Sequence, residues 1–211
     1  MMALKFAFID TETTGTDHMK HGLFMIGGII RVDDVIKEEF KITCDLFAGD
    51  EFDPASAKSH GYNADDLHKF QDPVDAHKEF TDILGKYVDK YDKTDKYLFL
   101  NFGAEFDNKF LHRWFEGCAD QYFHSWFWHP WVDVMSLAAN ALRRERHKMP
   151  NFKLVTVARQ LSIPVDDDSA HDPLYDAGLA MQVYDRLMVI SNPVKNNDGG
   201  LIYKMPRKRR Q

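Results

Sequence analysis

Acids at the ends of apolar segments mark three places in this 211-residue chain. In KFAFIDTETTG (5–15) an apolar run ends in Asp10 and Glu12, and a turn follows at once. Strand residues alternate sides, so these two carboxylates share one face at the end of a strand. In EFDNKFLHRWFEG (105–117), Asp107 stands three, four and seven residues before Phe110, Leu111 and Trp114, on the apolar stripe of a helix that also counts Phe106. A first-turn acid gains about 0.3–1 kcal/mol from the helix dipole, which suits a solvent-facing side chain better than one aimed at a sheet. In SAHDPLYDAGLAMQVYDRL (169–187), Asp176 borders the face made by Ala177, Met181, Tyr184 and Met188, and His171 projects from the loop before it. Taken singly, each acid could be a cap or a turn former. Taken together, four inward carboxylates would repel one another unless cations met them. Hard divalent ions take oxygen ligands, and Mg²⁺ keeps waters to share with a phosphate. Two such ions about 3.5–4 Å apart can clamp the attacking and leaving oxygens of a phosphodiester. A histidine, titrating near neutrality, can take a proton from the attacking water.

The elements that would bring these residues together are readable. Residues 4–9 form an apolar strand, and the stretches 22–32 and 35–43, parted by Asp33-Asp34, suggest a hairpin. FDPASAKSHGYNADDLHKF (52–70) is a polar loop with one or two short helices. Residues 73–91 carry Ala76, Phe80, Ile83, Leu84, Tyr87 and Val88 at helical spacing. A short buried strand (96–102) leads into the helix 105–117, ended by Gly117. Helices follow near 133–145, 153–161 and 173–190, the last with Asp172 as N-cap and Pro173 at the first turn. Strands first, then strands alternating with helices, predict an α/β fold with a mixed sheet.

Composition narrows the class. At 44% hydrophobic and 13% aromatic residues the chain can bury a core. No apolar run reaches a membrane span of about 18–20 residues, so no membrane partner is expected. The N-terminus lacks a signal-peptide pattern, and Cys44 and Cys118 lack metal or disulfide spacing, so a cytoplasmic location is expected. The formal charge of −6 excludes holding nucleic acid by bulk electrostatics alone. Basic residues cluster at Lys204 and Arg207–Arg210, after a linker-like SNPVKNNDGG, which divides the chain into a domain (1–190) and a linker with a basic tail (191–211). The tail is either a solvated charge run or a tether for polyphosphate. QYFHSWFWHPW (121–131) offers Trp126, Phe127 and Trp131 as base-stacking candidates, worth about 1–3 kcal/mol per base, against core packing or a dimer contact.

FIDTETTG, FGAEFD and HDPLYDA resemble the three motifs of the DEDDh 3′–5′ exonucleases, the superfamily of proofreading exonuclease subunits, ribonuclease T and oligoribonuclease. SHGYNADDL (59–67), WVDVMSLA (131–138) and FKLVTVARQLSI (152–163) are similar to further family segments, and the order agrees over about residues 4–190. The resemblance implies a ribonuclease H-like fold with a mixed five-stranded sheet flanked by helices. It gives Asp10, Glu12 and Asp176 as direct ligands of two divalent cations, Mg²⁺ or Mn²⁺. Asp107 would reach the second ion largely through water, and His171 would be the general base. It implies release of nucleoside 5′-monophosphates from 3′ ends. No sequence feature reads a 2′-hydroxyl, and single-stranded DNA is favoured over single-stranded RNA as the expected substrate. His60 matches a substrate-side histidine, and Thr13 and Phe102 complete the substrate-binding candidates. Two departures stand out: Phe102-Gly103 where the family often reads His-Asn, and Met25 where it carries Glu. A polymerase or another replication or repair protein is a candidate partner, and the sequence leaves oligomeric state open. The competing readings are an exoribonuclease, a non-catalytic nucleic-acid-binding or polymerase-accessory module, and a ribonuclease H-type endonuclease.

Overall fold

The computed structural model describes residues 3–169, 171–191, 194–195 and 201–202. Five strands form one sheet in the order β3-β2-β1-β4-β5. They are β1 (Lys5–Thr13), β2 (Leu23–Val32), β3 (Val35–Thr43), β4 (Leu98–Asn101) and β5 (Val132–Asp133). The first three are antiparallel neighbours, whereas β4 runs parallel to β1 and β5 parallel to β4. The β2–β3 turn places Asp33 and Asp34 at φ 48° and 64°. Two consecutive left-handed residues give the hairpin turn whose twist matches its strands, and Asp tolerates that region better than most side chains.

Helices cover both faces. The pattern Phe6, Phe8 against Ala7, Ile9 divides β1 between two cores, as alternation requires. One side packs on α3 (Pro73–Leu84) and α4 (Ala104–Gly117), and the other on α6 (Val134–Ala141), α7 (Leu154–Gln160) and α8 (Pro173–Ser191). The short α1 (Pro54–His60) and α2 (Ala64–Leu67) lie in the 52–70 stretch as expected, and α5 (Phe123–Trp126) lies in the aromatic stretch. Helix α3 stops at Leu84, earlier than its periodicity suggested, because Gly85 caps it; Val88 still reaches the core from the following turn. Helix α6 stops at Ala141, short of the predicted end. The expected linker contains β6 (Val194–Lys195) and β7 (Leu201–Ile202), paired antiparallel. The basic residues of the tail, Lys204 and Arg207 to Arg210, lie outside the described residues. No described helix is long and apolar enough to cross a membrane.

Two contacts fix α8 against the sheet. Arg31 of β2 is buried under the rings of Phe6, Phe8 and Tyr184, and its guanidinium donates to both oxygens of Asp185 at 2.7 and 2.9 Å. At the other end of the helix, a Cβ added to Gly27 would overlap the backbone of Pro173 and Leu174. Gly27 is paired with Asp10 across β1 and β2. The missing side chain therefore lets the start of α8 lie directly on the sheet beside that acid. Gly27→Ala must push α8 away. We expect a loss of about 2 kcal/mol, the middle of the usual overpacking range, with turnover reduced more than tenfold; urea unfolding and initial rates check both.

Candidate active site

The four acids meet where β1 and β4 end side by side. In an open sheet the crevice outside the carboxyl ends of parallel strands is where ligands bind. Asp10 and Glu12 are half-buried on one face of β1, while Thr11 and Thr13 turn to the other and are buried. A register shift between Glu12 and Thr13 ends the regular ladder there. Asp107 comes over the sheet end from α4 and is only 4% exposed. Its Oδ1 accepts from Thr11 N (3.0 Å) and Thr11 Oγ1 (2.9 Å), and its Oδ2 accepts from Asn101 Nδ2 at 2.6 Å. The same Asn101 nitrogen donates to Asp10 Oδ1 at 2.8 Å. One amide thus joins two acids that stand far apart in sequence.

From the opposite face comes Asp176. Asp172 caps α8 as expected, its Oδ1 accepting from Leu174 N (3.0 Å) and Tyr175 N (3.3 Å). Lys41 of β3 donates to the other oxygen of Asp172 at 2.8 Å. His171 is exposed, in the left-handed region at φ 68°, and sits just outside the helix. That conformation costs a non-glycine residue about 1–3 kcal/mol and persists only where its surroundings impose it. Here a capped helix follows it, and its backbone hydrogen-bonds Asp176.

The electrostatics are those of a crowded anion site. Burial pushes the Asp10 carboxyl well up, and the charges of Asp107 and Asp176 push it further. Glu12 is pushed up to about 8, by burial first and then by Asp176 and Asp107. Burial also raises Asp107, against its bonds from Asn101 and Thr11, and raises Asp176, against its bond from the His171 backbone. Four acids that resist ionisation together are either protonated or neutralised by cations.

Do these residues suit the divalent ions that the DEDD fold implies? The donors are all carboxylate oxygens, the set that Mg²⁺ and Mn²⁺ prefer. Asn101 Oδ1 is 1% exposed as a residue, without a hydrogen-bond partner, and stands beside two of the acids. An orphaned buried acceptor there is what a hydrated cation would satisfy. Among the described residues no set of three or more acids, histidines or cysteines is already closed around an ion position. Asp107 and Asp10 are instead held by Asn101 and Thr11. The chemistry of the site fits the ions, and their arrival would exchange protein donors for metal.

A pH dependence follows. Glu12 binds its proton more tightly in the folded chain than its ordinary value of 4.5. The stability this gives the ion-free protein is whole below about pH 4.5 and is lost as pH rises toward 8. A tenfold change in proton affinity is about 1.4 kcal/mol, and each kcal/mol moves the melting point of a chain this size by about 2–4 °C. In EDTA the melting temperature should fall by roughly 7–14 °C between pH 5 and pH 8. Millimolar Mn²⁺ at pH 8 should restore most of it, and a flat profile in EDTA would refute the crowding.

The substrate candidates fare less evenly. Trp126 and Phe127 are 4% and 2% exposed, packed among Phe99, Phe115 and Phe123. They are core residues, so their proposed stacking role is withdrawn: neither ring has a free face. Phe102 packs on Phe152 (centroids 6.2 Å apart) in the second core. Thr13 is buried, and its hydroxyl donates to Gly15 O at 2.7 Å, which commits it to the turn. The Thr14 N–H donates to Gly22 O at 2.9 Å. His60 sits among Phe24, Phe52 and Tyr62; its Nδ1 accepts from Tyr62 N at 3.2 Å, leaving a buried Nε2 without a partner. Burial, and then the charge of His171, lower its pKa. Trp131 is half-buried and remains in reach of a surface groove.

Three residues of the site were not singled out from the sequence. Asn101 was read only as part of a strand. Gly103, half of the Phe-Gly departure, starts α4 at φ 93° and donates to Asp133 Oδ1 at 3.0 Å. A left-handed residue is needed there, and glycine adopts it freely. Phe106 was assigned to the buried stripe, but it is 39% exposed. With Thr16, His18, Gly103, Lys109 and Met135 it lines a cavity of about 440 Å³ at the start of α4. It precedes Asp107 by one residue, so a helix that turns Asp107 inward must turn Phe106 about 100° away.

Comparison with known proteins agrees with this geometry. A family model for exonucleases of the RNase T type matches residues 7–184. No curated protein matches the sequence. Among solved structures, E. coli exonuclease I in complex with a dT13 oligonucleotide superposes with a TM-score of 0.66 at 17% identity, over 89% of this chain and 41% of that one. Apo exonuclease I gives a TM-score of 0.68 at 17% identity, over 87% of this chain and 42% of that one. This chain thus spans less than half the length of those proteins, and at such identities the likeness is one of fold, the ribonuclease H-like α/β fold. From the extent of the family match, the chain belongs to the RNase T family of exonucleases, of the DEDD type.

Proposed function

We propose that the protein is a metal-dependent 3′–5′ exonuclease that removes nucleoside 5′-monophosphates from single-stranded nucleic acid, with DNA favoured. The observation that carries this is the convergence of Asp10, Glu12, Asp107 and Asp176 from β1, α4 and α8, with His171 on the loop beside Asp176. Asp10, Glu12 and Asp176 would hold two Mg²⁺ or Mn²⁺ ions, with Asp107 at their edge. When bound, the ions supply charge neutralisation for the phosphate and its leaving oxygen.

The chain's own residues do the rest. His171, exposed and near the acids, accepts the proton of the attacking water. Asn101 keeps Asp10 and Asp107 at a fixed separation, and Thr11 fixes the rotation of the Asp107 carboxylate by two bonds. His60 offers a donor Nε2–H to the terminal nucleotide, because its Nδ1 is occupied as an acceptor. Exonuclease I, which shares the fold, has been seen with dT13 and with dA16, consistent with a strand substrate without sequence preference.

The test is digestion of 5′-labelled single- and double-stranded DNA and of RNA, in Mg²⁺, Mn²⁺ or EDTA. A ladder shortened from the 3′ end, released mononucleotides and arrest in EDTA are expected, fastest on single-stranded DNA. Cleavage of a closed circular strand would point to an endonuclease. Faster loss of RNA would make the protein an exoribonuclease, and tight binding without turnover would leave only the accessory reading.

A further inference from the structure

Helix α4 carries more than Asp107. Beyond the cavity at Phe106, its exposed side continues into a second hollow of about 280 Å³, and the two share His18 and Lys109 as walls. Its α4 wall runs from Asn108 to Glu116, with His112 about 7.5 Å beyond Asp107 along the helix axis at 1.5 Å per residue. Histidines dominate it. His112 stacks at 5.2 Å from His124, and His129 lies 5.6 Å from Trp131. His18 enters from the β1–β2 loop and meets Phe110.

The fixed charges around these imidazoles nearly cancel. Lys109 is answered by Glu105 at 2.6 Å and Arg113 by Asp50 at 2.7 Å. Glu116 stands 3.7 Å from His112. Lys96 donates to the His124 carbonyl at 2.6 Å and lies over the Trp128 ring. With neutral imidazoles the hollow holds little net attraction for an anion. With protonated ones it gains a charge from each histidine, in a trough that joins the Phe106 cavity at His18 and Lys109 and has Trp131 on its wall. Alternating cationic and aromatic side chains along a groove are the features that hold single-stranded nucleic acid without sequence preference.

We propose that this hollow is a binding site for the phosphodiester backbone of the strand upstream of the nucleotide being removed, and that its grip is set by protonation of His112, His124 and His129. This rests on the exonuclease reading above. Burial, then the charges of His112, His129 and Lys96, lower the pKa of His124. Glu12 and Asp107, pushed up to about 8 and about 6, also take up protons over this range, which eases the approach of any phosphate. A comparison of variant with wild type at each pH removes that shared contribution.

The experiment measures anisotropy of a 5′-labelled oligothymidylate of about twelve nucleotides in EDTA, where no hydrolysis occurs. For the wild type, affinity should rise at least about tenfold from pH 8 to pH 6. The triple variant His112→Gln/His124→Gln/His129→Gln should keep less than about a third of that rise. Hydrolysis of a dinucleotide, too short to reach the hollow, should be unchanged at pH 8. Should the triple variant lose dinucleotide hydrolysis through misfolding, the exposed single change His129→Gln decides, with an expected two- to threefold weakening at pH 6 and none at pH 8. The inference is overturned if the folded variant keeps the full pH response, or if it weakens binding equally at both pH values. Binding with this pH response but no turnover in Mg²⁺ would sink the exonuclease reading and leave the groove standing. Turnover with a pH response untouched by the variant would do the reverse.

Discussion

Asp10→Asn should lower turnover by roughly a thousandfold, the upper range for losing one site of transition-state charge stabilisation, and yet raise the melting temperature of the ion-free protein. The two effects have one cause. Asp10 is buried beside Asp107 and Asp176, and its charge is unfavourable in that setting until something positive arrives. Asparagine keeps its shape, and its carbonyl can still accept from Asn101 Nδ2. What disappears is the repulsion, together with the charge that attracts the ions. Initial rates in saturating Mg²⁺ and melting curves in EDTA measure both. A variant that is inactive and also less stable would mean that Asp10 is a structural residue, and near-normal turnover would remove it from the site.

His171→Gly should reduce kcat by about 10²–10⁴, the range that general acid–base catalysis supplies, without changing the stabilisation given by Mn²⁺. Glycine is the informative replacement because it adopts φ 68° without strain, so only the imidazole is lost. The side chain is exposed, and added imidazole can reach its place. Partial rescue by imidazole, growing with its unprotonated fraction, is the signature of a base. Equal loss of rate and of Mn²⁺ stabilisation would show that His171 serves the ions instead.

These residues differ in how openly the sequence displays them. The alternation in KFAFIDTET fixes the shared face of Asp10 and Glu12, and Asp172-Pro173 announces the start of α8, because both signals are local. The hairpin at Asp33-Asp34 is of the same kind. Gly27 and Asn101 are not local. Their roles depend on which residue lies opposite across a strand pair and which helix lands above it, and neither is written in the flanking residues. The aromatic run 121–131 misled for a related reason. Six rings in eleven residues reveal apolar surface but not its side, and the strand pairing of Tyr97 with Phe127 turns Phe127 inward. Phe106 erred in the opposite direction, since a stripe counted every third or fourth residue is broader than the strip that fits beneath the helix.

The amide of Asn101 has a bearing on how the enzyme is made. A protein whose shape depends on its metal must find that metal before it can leave the unfolded state, as small zinc domains do. Here a neutral side chain already spans the gap between two of the mutually hostile groups. Maturation can therefore proceed in two separate stages, with the polypeptide completing its architecture in ion-poor surroundings and becoming competent later, on demand, when divalent cations are supplied.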